Sequence, residues 1–287
     1  MLSENQLKRI LEEHTKSKLF CKVDKLGASS HRKTYLTNGN GTRYKIRKCF
    51  SETDAQDIER RVLDVSHLDI FPRYFGRHDE WIFFEFLDYR EAMRDESDTF
   101  WYDLGMKIAL LETVESPHLD VSFGMEASPI KLNDFQDYLV RCVELLEKTG
   151  YLADGQVTAL NQRLESIPKT LRNCYGYLDL LPGNIMADDE QIYFVDEEGL
   201  AGTIPGLSLI RPLDIWKSYS PPQGINPIER AELLCGYQAG GADSKYFEEY
   251  ELLLGITYYV LKSADSVSSS GTTNNSIKQL YSRIKLL

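Results

Sequence analysis

The strongest constraint in this sequence is a change of texture near residue 90. Before it, short strand-like runs are broken by Gly, Ser and Asn; after it, apolar residues recur at helical spacing. Residues 22–26 and 32–37 read as strands joined by Gly27-Ala28-Ser29-Ser30-His31. Asn38-Gly39-Asn40-Gly41 is a hairpin signal, because Asn and Gly tolerate positive φ. Residues 43–50 make a third strand, and 51–65 a helix with Ile58, Val62 and Val65 on one face and Glu59 within it. Residues 72–87 hold two more strands, ending in Trp81-Ile82-Phe83-Phe84-Glu85-Phe86-Leu87. Helices are expected over 100–114, 133–148 and 156–166, with a further N-terminal one capped by Ser3. Residues 174–196 read as a compact apolar hairpin, and the Ser/Thr/Asn-rich stretch 263–276 as a loop or disordered connection before a short last helix. The expected fold class is α+β: a five-stranded antiparallel lobe with one inserted helix over 1–88, and a mostly helical lobe over 89–287.

Charge narrows the function classes. The formal net charge of -11 argues against general nucleic-acid binding. It is uneven: residues 1–50 hold 12 Lys/Arg against 4 Asp/Glu, and the rest holds 21 against 40. A basic segment ahead of an acidic body can separate anion binding from cation binding within one molecule. The five cysteines include no C-x-x-C pair, so neither a zinc site nor a disulfide framework is expected, and an odd count fits a reducing compartment. No run of about 18 apolar residues and no apolar signal core occur, so the expected location is cytoplasmic, without a membrane span.

The most informative stretch is Tyr177-Leu178-Asp179-Leu180-Leu181-Pro182-Gly183-Asn184-Ile185-Met186, followed by Tyr193-Phe194-Val195-Asp196-Glu197-Glu198. Asn184 lies five residues after Asp179, and Asp196 twelve after Asn184, with apolar flanks to hold them. That set suits phosphoryl transfer, which needs positioned charge more than covalent help. One carboxylate orients the attacking hydroxyl and accepts its proton. An amide oxygen and a second carboxylate are hard ligands of the kind Mg²⁺ prefers.

These motifs resemble the aminoglycoside phosphotransferase and choline kinase family, which shares the bilobal protein-kinase-like fold. The family's H-x-D-x-x-x-x-N loop and following I-D-[WFY]-E strand read here as Tyr177-x-Asp179-x-x-x-x-Asn184 and Val195-Asp196-Glu197-Glu198. The resemblance runs in order from about residue 20 to 260. It implies Asp179 as catalytic base, Asn184 and Asp196 as Mg²⁺ ligands, and Glu198 as a second-metal or orienting group. It implies nucleotide contacts at Ser29 and Ser30 in a phosphate loop over 27–31, at Arg47 or Lys45 on the third strand with Glu59 as the partner of that cation, at Glu85 and Leu87 in a hinge, and at Val195.

The implied reaction moves the γ-phosphate of ATP or GTP to a small-molecule hydroxyl. The acidic body favours a cationic acceptor, choline-like, ethanolamine-like or an amino sugar. Trp216, Tyr219 and Asp214 are candidate acceptor-site residues, with Trp216 also readable as core and Asp214 as an anchor of the catalytic region. Tyr177 in place of His and Arg47 in place of Lys keep a catalytically impaired nucleotide-binding module as the alternative. Only 17 residues separate Asp196 from Asp214, too few for the segment that docks a polypeptide in protein kinases.

Overall fold

The computed structural model describes residues 8–10, 12–13, 24–28, 33–39, 42–87, 90–91, 99–120, 130–168, 171–187, 191–216, 224–270 and 275–287. The chain forms two compact units, both discontinuous: Met1–Ser97 with Pro182–Glu198, and Asp98–Leu181 with Gly199–Leu287.

In the first unit, β1 (Asp24–Ala28), β2 (Lys33–Gly39), β3 (Thr42–Lys48), β4 (Tyr74–His78) and β5 (Trp81–Glu85) form a five-stranded antiparallel sheet in the order β1-β2-β3-β5-β4. This is the expected five-strand arrangement. The β2/β3 register runs antiparallel as far as Gly39 with Thr42; Asn40 and Gly41, within the expected turn signal, lie outside the described residues. Alternation on β3 sends Tyr44 and Ile46 to a core with Ile10, Trp81 and Phe83, and leaves Lys45 and Arg47 together on the other face.

Helix α1 (Glu52–Val65) is inserted between β3 and β4. Ser51 caps it, accepting from the Asp54 N–H at 3.1 Å, and Ala55, Ile58, Val62 and Val65 form its buried stripe. The same unit contains a second, three-stranded sheet: β6 (Arg90–Glu91), β8 (Ile185–Ala187) and β9 (Ile192–Phe194), in the order β6-β8-β9. Phe194 is tied to the α1–β4 connection by its N–H to the Ile70 carbonyl (2.9 Å) and by its ring against Phe71.

The second unit is helical around one short ladder. Strand β7 (Cys174–Tyr177) pairs with β10 (Leu200–Thr203), so the stretch 174–196 is not one hairpin: only β8 and β9 form that, and β7 takes a partner beyond it. Helix α2 (Phe100–Thr113) and helix α6 (Pro227–Ala239) approach backbone to backbone. A Cβ on Gly236 would stand 1.8 Å from the Tyr102 carbonyl oxygen, and one on Gly105 2.0 Å from that of Leu233, so only glycine fits either place. Glu112, at the end of α2, is buried. Its carboxylate accepts the Gly206 N–H at 2.8 Å and the Tyr237 hydroxyl, tying α2 to α6 and to a loop whose Gly206 has φ +82°.

Helices α3 (Phe135–Lys148) and α4 (Asp154–Leu164), the short α5 (Ile210–Asp214), the long α7 (Ser244–Ser270) and α8 (Asn275–Ile284) complete the unit. The serine-rich stretch expected as a loop is helical as far as Ser270. Ser263, Ala264 and Val267 are buried, the Ser263 and Ser276 hydroxyls bond at 3.1 Å, and Ser266 returns its hydroxyl to the Lys262 carbonyl. Residues 271–274 lie outside the described ones. No described helix is long and apolar enough to cross a membrane.

Candidate functional site

In the first unit the chain returns to β3 with the segment 195–198. The Val195 N–H donates to the Asn184 carbonyl at 3.0 Å, one step beyond the Ile185–Phe194 pair, so Asn184 and Asp196 flank the end of the β8/β9 ladder. Lys45 Nζ donates to the Val195 carbonyl at 2.6 Å and to Glu197 Oε1 at 3.0 Å. Arg47 Nη1 donates to Asp196 Oδ1 at 2.8 Å and Glu197 Oε2 at 3.1 Å, and its Nη2 pairs with Glu198.

Two cations thus meet three carboxylates. Glu197 is fully buried, whereas Asp196 and Glu198 keep about a third of their side chains exposed, at 35% and 31%. Burial works against the Arg47 charge, but Glu197 and Asp196 outweigh it and hold the guanidinium pKa above its ordinary value. Among the described residues no group of three or more His, Cys, Asp or Glu side chains is placed to hold a metal ion. The oxygen donors flanking the ladder end, Asn184 and Asp196 with Glu198 nearby, are hard ligands that suit Mg²⁺ in company with water.

In the second unit Asp179 follows β7, where the Leu178 N–H still pairs with the Gly199 carbonyl at 2.8 Å. Its side chain is 37% exposed and forms an ion pair with Arg211 of α5. Two contacts fix the backbone leading to it. Tyr258 donates its hydroxyl to the Leu178 carbonyl at 3.1 Å, and the Tyr177 N–H donates to Ser208 Oγ at 3.0 Å. Tyr177, standing where the family has His, is fully buried against Gly199, where an added Cβ would lie 2.6 Å from the ring's Cζ.

The remaining candidates divide. Glu59 does not take the expected partner among its described bonds: it accepts from Tyr74 at 2.7 Å and Arg77 at 2.8 Å, both on β4, which faces α1 more directly than β3 does. Glu85 and Leu87 are half-buried at the end of β5, where the Glu85 and Phe86 N–H groups donate to Arg73 and Arg43 carbonyls. Trp216 is 3% exposed and packs against Phe100 and Trp101, the core position of its other reading. Asp214 is held by Arg283 of α8 through bonds of 2.7 to 3.2 Å. Ser29, Ser30 and Tyr219 lie outside the described residues. Sequence reasoning missed Arg211 as the partner of Asp179 and Glu197 as the shared partner of Lys45 and Arg47. Arg211 stood three residues before Asp214, and Glu197 next to Asp196, but neither position carries a motif of its own.

No family model and no curated protein sequence matches this chain. Solved structures do match it. A macrolide 2'-phosphotransferase type I aligns with TM-score 0.62 at 14% identity, over 100% of this chain and 98% of that one. A choline kinase from Cryptosporidium parvum Iowa II aligns with TM-score 0.59 at 10% identity, over 92% and 87%. A spectinomycin phosphotransferase, solved in complex with ADP and spectinomycin, aligns with TM-score 0.57 at 14% identity, over 99% and 97%. At such identities the likeness establishes the fold, which is protein-kinase-like, as the resemblance in the motifs implied.

Proposed function

We propose that this protein is a Mg²⁺-dependent kinase that transfers the γ-phosphate of ATP or GTP to a hydroxyl of a small molecule. The observation that carries the reading is the ordered set Asp179, Asn184 and Asp196 on a protein-kinase-like fold, with Lys45 and Arg47 of β3 directed at the segment holding Asp196. Each residue then has a role. Asp179 accepts the proton of the acceptor hydroxyl as its oxygen bonds to the γ-phosphorus and the bond to the β–γ bridging oxygen breaks, leaving the nucleoside diphosphate. Lys45 and Arg47 neutralise phosphate charge, Arg47 with the planar fork that suits an oxyanion. Asn184 and Asp196 would hold Mg²⁺, with Glu198 assisting; when bound, the ion supplies charge neutralisation at the phosphates. Tyr258 and Ser208 orient Asp179 by fixing the backbone on its N-terminal side.

The second reading is a catalytically impaired nucleotide-binding module. It is favoured by the pairing of Arg47 with Asp196 and of Arg211 with Asp179, which engages both key carboxylates with protein cations. A coupled assay of ADP release discriminates the two. The kinase reading expects Mg²⁺-dependent turnover with at least one hydroxyl acceptor, abolished by Asp179→Ala with nucleotide binding retained. A thermal shift with Mg·ATP, but no turnover with a broad acceptor set, supports the module.

A further inference from the structure

The second unit carries charge beside Asp179 that phosphoryl transfer by itself does not require. Arg211 pairs with Asp179 while remaining 22% exposed. On α7, Tyr258, Lys262 and Asp265 recur at i, i+4 and i+7, so they share one face of the helix. The Tyr258 hydroxyl on the Leu178 carbonyl fixes that face next to the Asp179 backbone. Lys262 is half-buried, within charge-interaction range of Asp179, Arg211 and Asp265. Two cations and two carboxylates are therefore gathered there; burial, and after it Arg211, work against the Lys262 charge, Asp179 and Asp265 favour it, and the lysine pKa lies below its ordinary value. The balance changes during the reaction: once Asp179 has taken the acceptor's proton, one of the carboxylates within charge range of Arg211 and Lys262 is neutral.

We infer that Arg211 and Lys262 form the acceptor-recognition element of this protein, and that the acceptor hydroxyl is carried by a molecule bearing an oxyanion, a carboxylate or a phosphate. The inference rests on Asp179 being the catalytic base. An oxyanion seated on Arg211 and Lys262 restores charge balance when Asp179 is neutralised, and it frees Asp179 by giving Arg211 another partner. The Arg fork matches carboxylate and phosphate geometry. This departs from the cationic acceptor that the whole-chain charge suggests. A net charge of -11 is a sum over the molecule, whereas the field an acceptor meets is set by the groups around Asp179.

The test is ADP release by the full chain with Mg·ATP and matched acceptors: glycerate against glyceramide, glycerol 3-phosphate against glycerol, and choline, ethanolamine and streptomycin as cations. The expected result is that an anionic acceptor has about 10-fold or greater higher kcat/KM than its neutral match. Which anionic arm responds tells carboxylate from phosphate. Arg211→Gln and Lys262→Gln should each raise KM for that acceptor about 10- to 100-fold with a smaller change in kcat, and Arg211→Lys should recover part of the loss. Preference for a cationic acceptor, equal use of anionic and neutral partners, or nucleotide binding with no anionic acceptor turned over would each overturn the inference. So would a loss confined to kcat, equal for every acceptor and for water, since the cations would then serve the transferred phosphoryl group. A thermal shift with Mg·ATP is run in parallel. Its absence together with absent turnover removes the kinase reading itself, whereas turnover of amines removes only the oxyanion inference.

Discussion

Glu112 offers a quantitative test of how the second unit is held together. It is fully buried, and burial raises its pKa from the ordinary 4.5 to about 7, against the Tyr237 and Gly206 hydrogen bonds and the Arg172 charge, which pull it down. In the unfolded chain the group ionises near its ordinary value. Below that value both states hold the proton and the residue's contribution is fully present. Between 4.5 and about 7 the unfolded chain releases the proton while the folded one keeps it, so stability falls as pH rises, and above about 7 the loss is complete. At 1.36 kcal/mol per pH unit, the span from 4.5 to about 7 caps the loss at about 3 kcal/mol. Glu112→Gln keeps the shape, the acceptor for Gly206 and a polar atom at Tyr237, but does not ionise. Urea unfolding of both proteins at pH 4.5, 6 and 8 reads the difference. The variant should match the parent at pH 4.5 and exceed it by up to about 3 kcal/mol at pH 8. A difference independent of pH, or one of opposite slope, would mean that Glu112 does not titrate with folding in this way.

Three further substitutions probe separate parts of the fold. Gly236→Ala places a Cβ against the Tyr102 carbonyl, so chemical denaturation should show a loss of about 1–3 kcal/mol or more from α2 and α6 being forced apart. Ser51→Ala removes the cap of α1 and should cost about 1 kcal/mol in the same assay, with Ser51→Asp restoring most of it. Glu197→Gln strips Lys45 and Arg47 of their shared buried partner and should cost about 3 kcal/mol, the range for breaking a buried ion pair. A larger stabilisation of Glu197→Gln than of the parent on adding ATP, followed by thermal melting, checks that Lys45 and Arg47 take phosphate.

Much of this molecule was legible in its sequence because the signals were local. The period of β3 put Lys45 and Arg47 on one face, and the Asn38–Gly41 run announced that β2 and β3 pair antiparallel. Ser51 and the apolar stripe announced α1. What could not be read depended on distant chain segments. The partners of Lys45 and Arg47 lie about 150 residues away, and Asp179 meets Arg211 across 32 positions. The resemblance pairs Glu59 with the β3 cation, whereas its described bonds come from Tyr74 and Arg77 on β4. The run from Ser263 looked like a loop on composition. Ala264 and Val267 bury on one face, and the hydroxyls find partners on neighbouring turns or on Ser276, so tertiary packing overrides a weak local preference. Trp216 shows the reverse hazard: an aromatic near a suspected site that packs with Phe100 and Trp101 as core.

The central claim is that Asp179 serves as the base of a phosphoryl transfer. Single-turnover ADP formation, measured for the parent and for Asp179→Asn at saturating Mg·ATP with the best acceptor found, bears on it most directly. Asp179→Asn should bind Mg·ATP with an affinity within a few-fold of the parent and form product at least about 100-fold more slowly, the scale of a lost general base. Product formation by Asp179→Asn at the parent rate would contradict it.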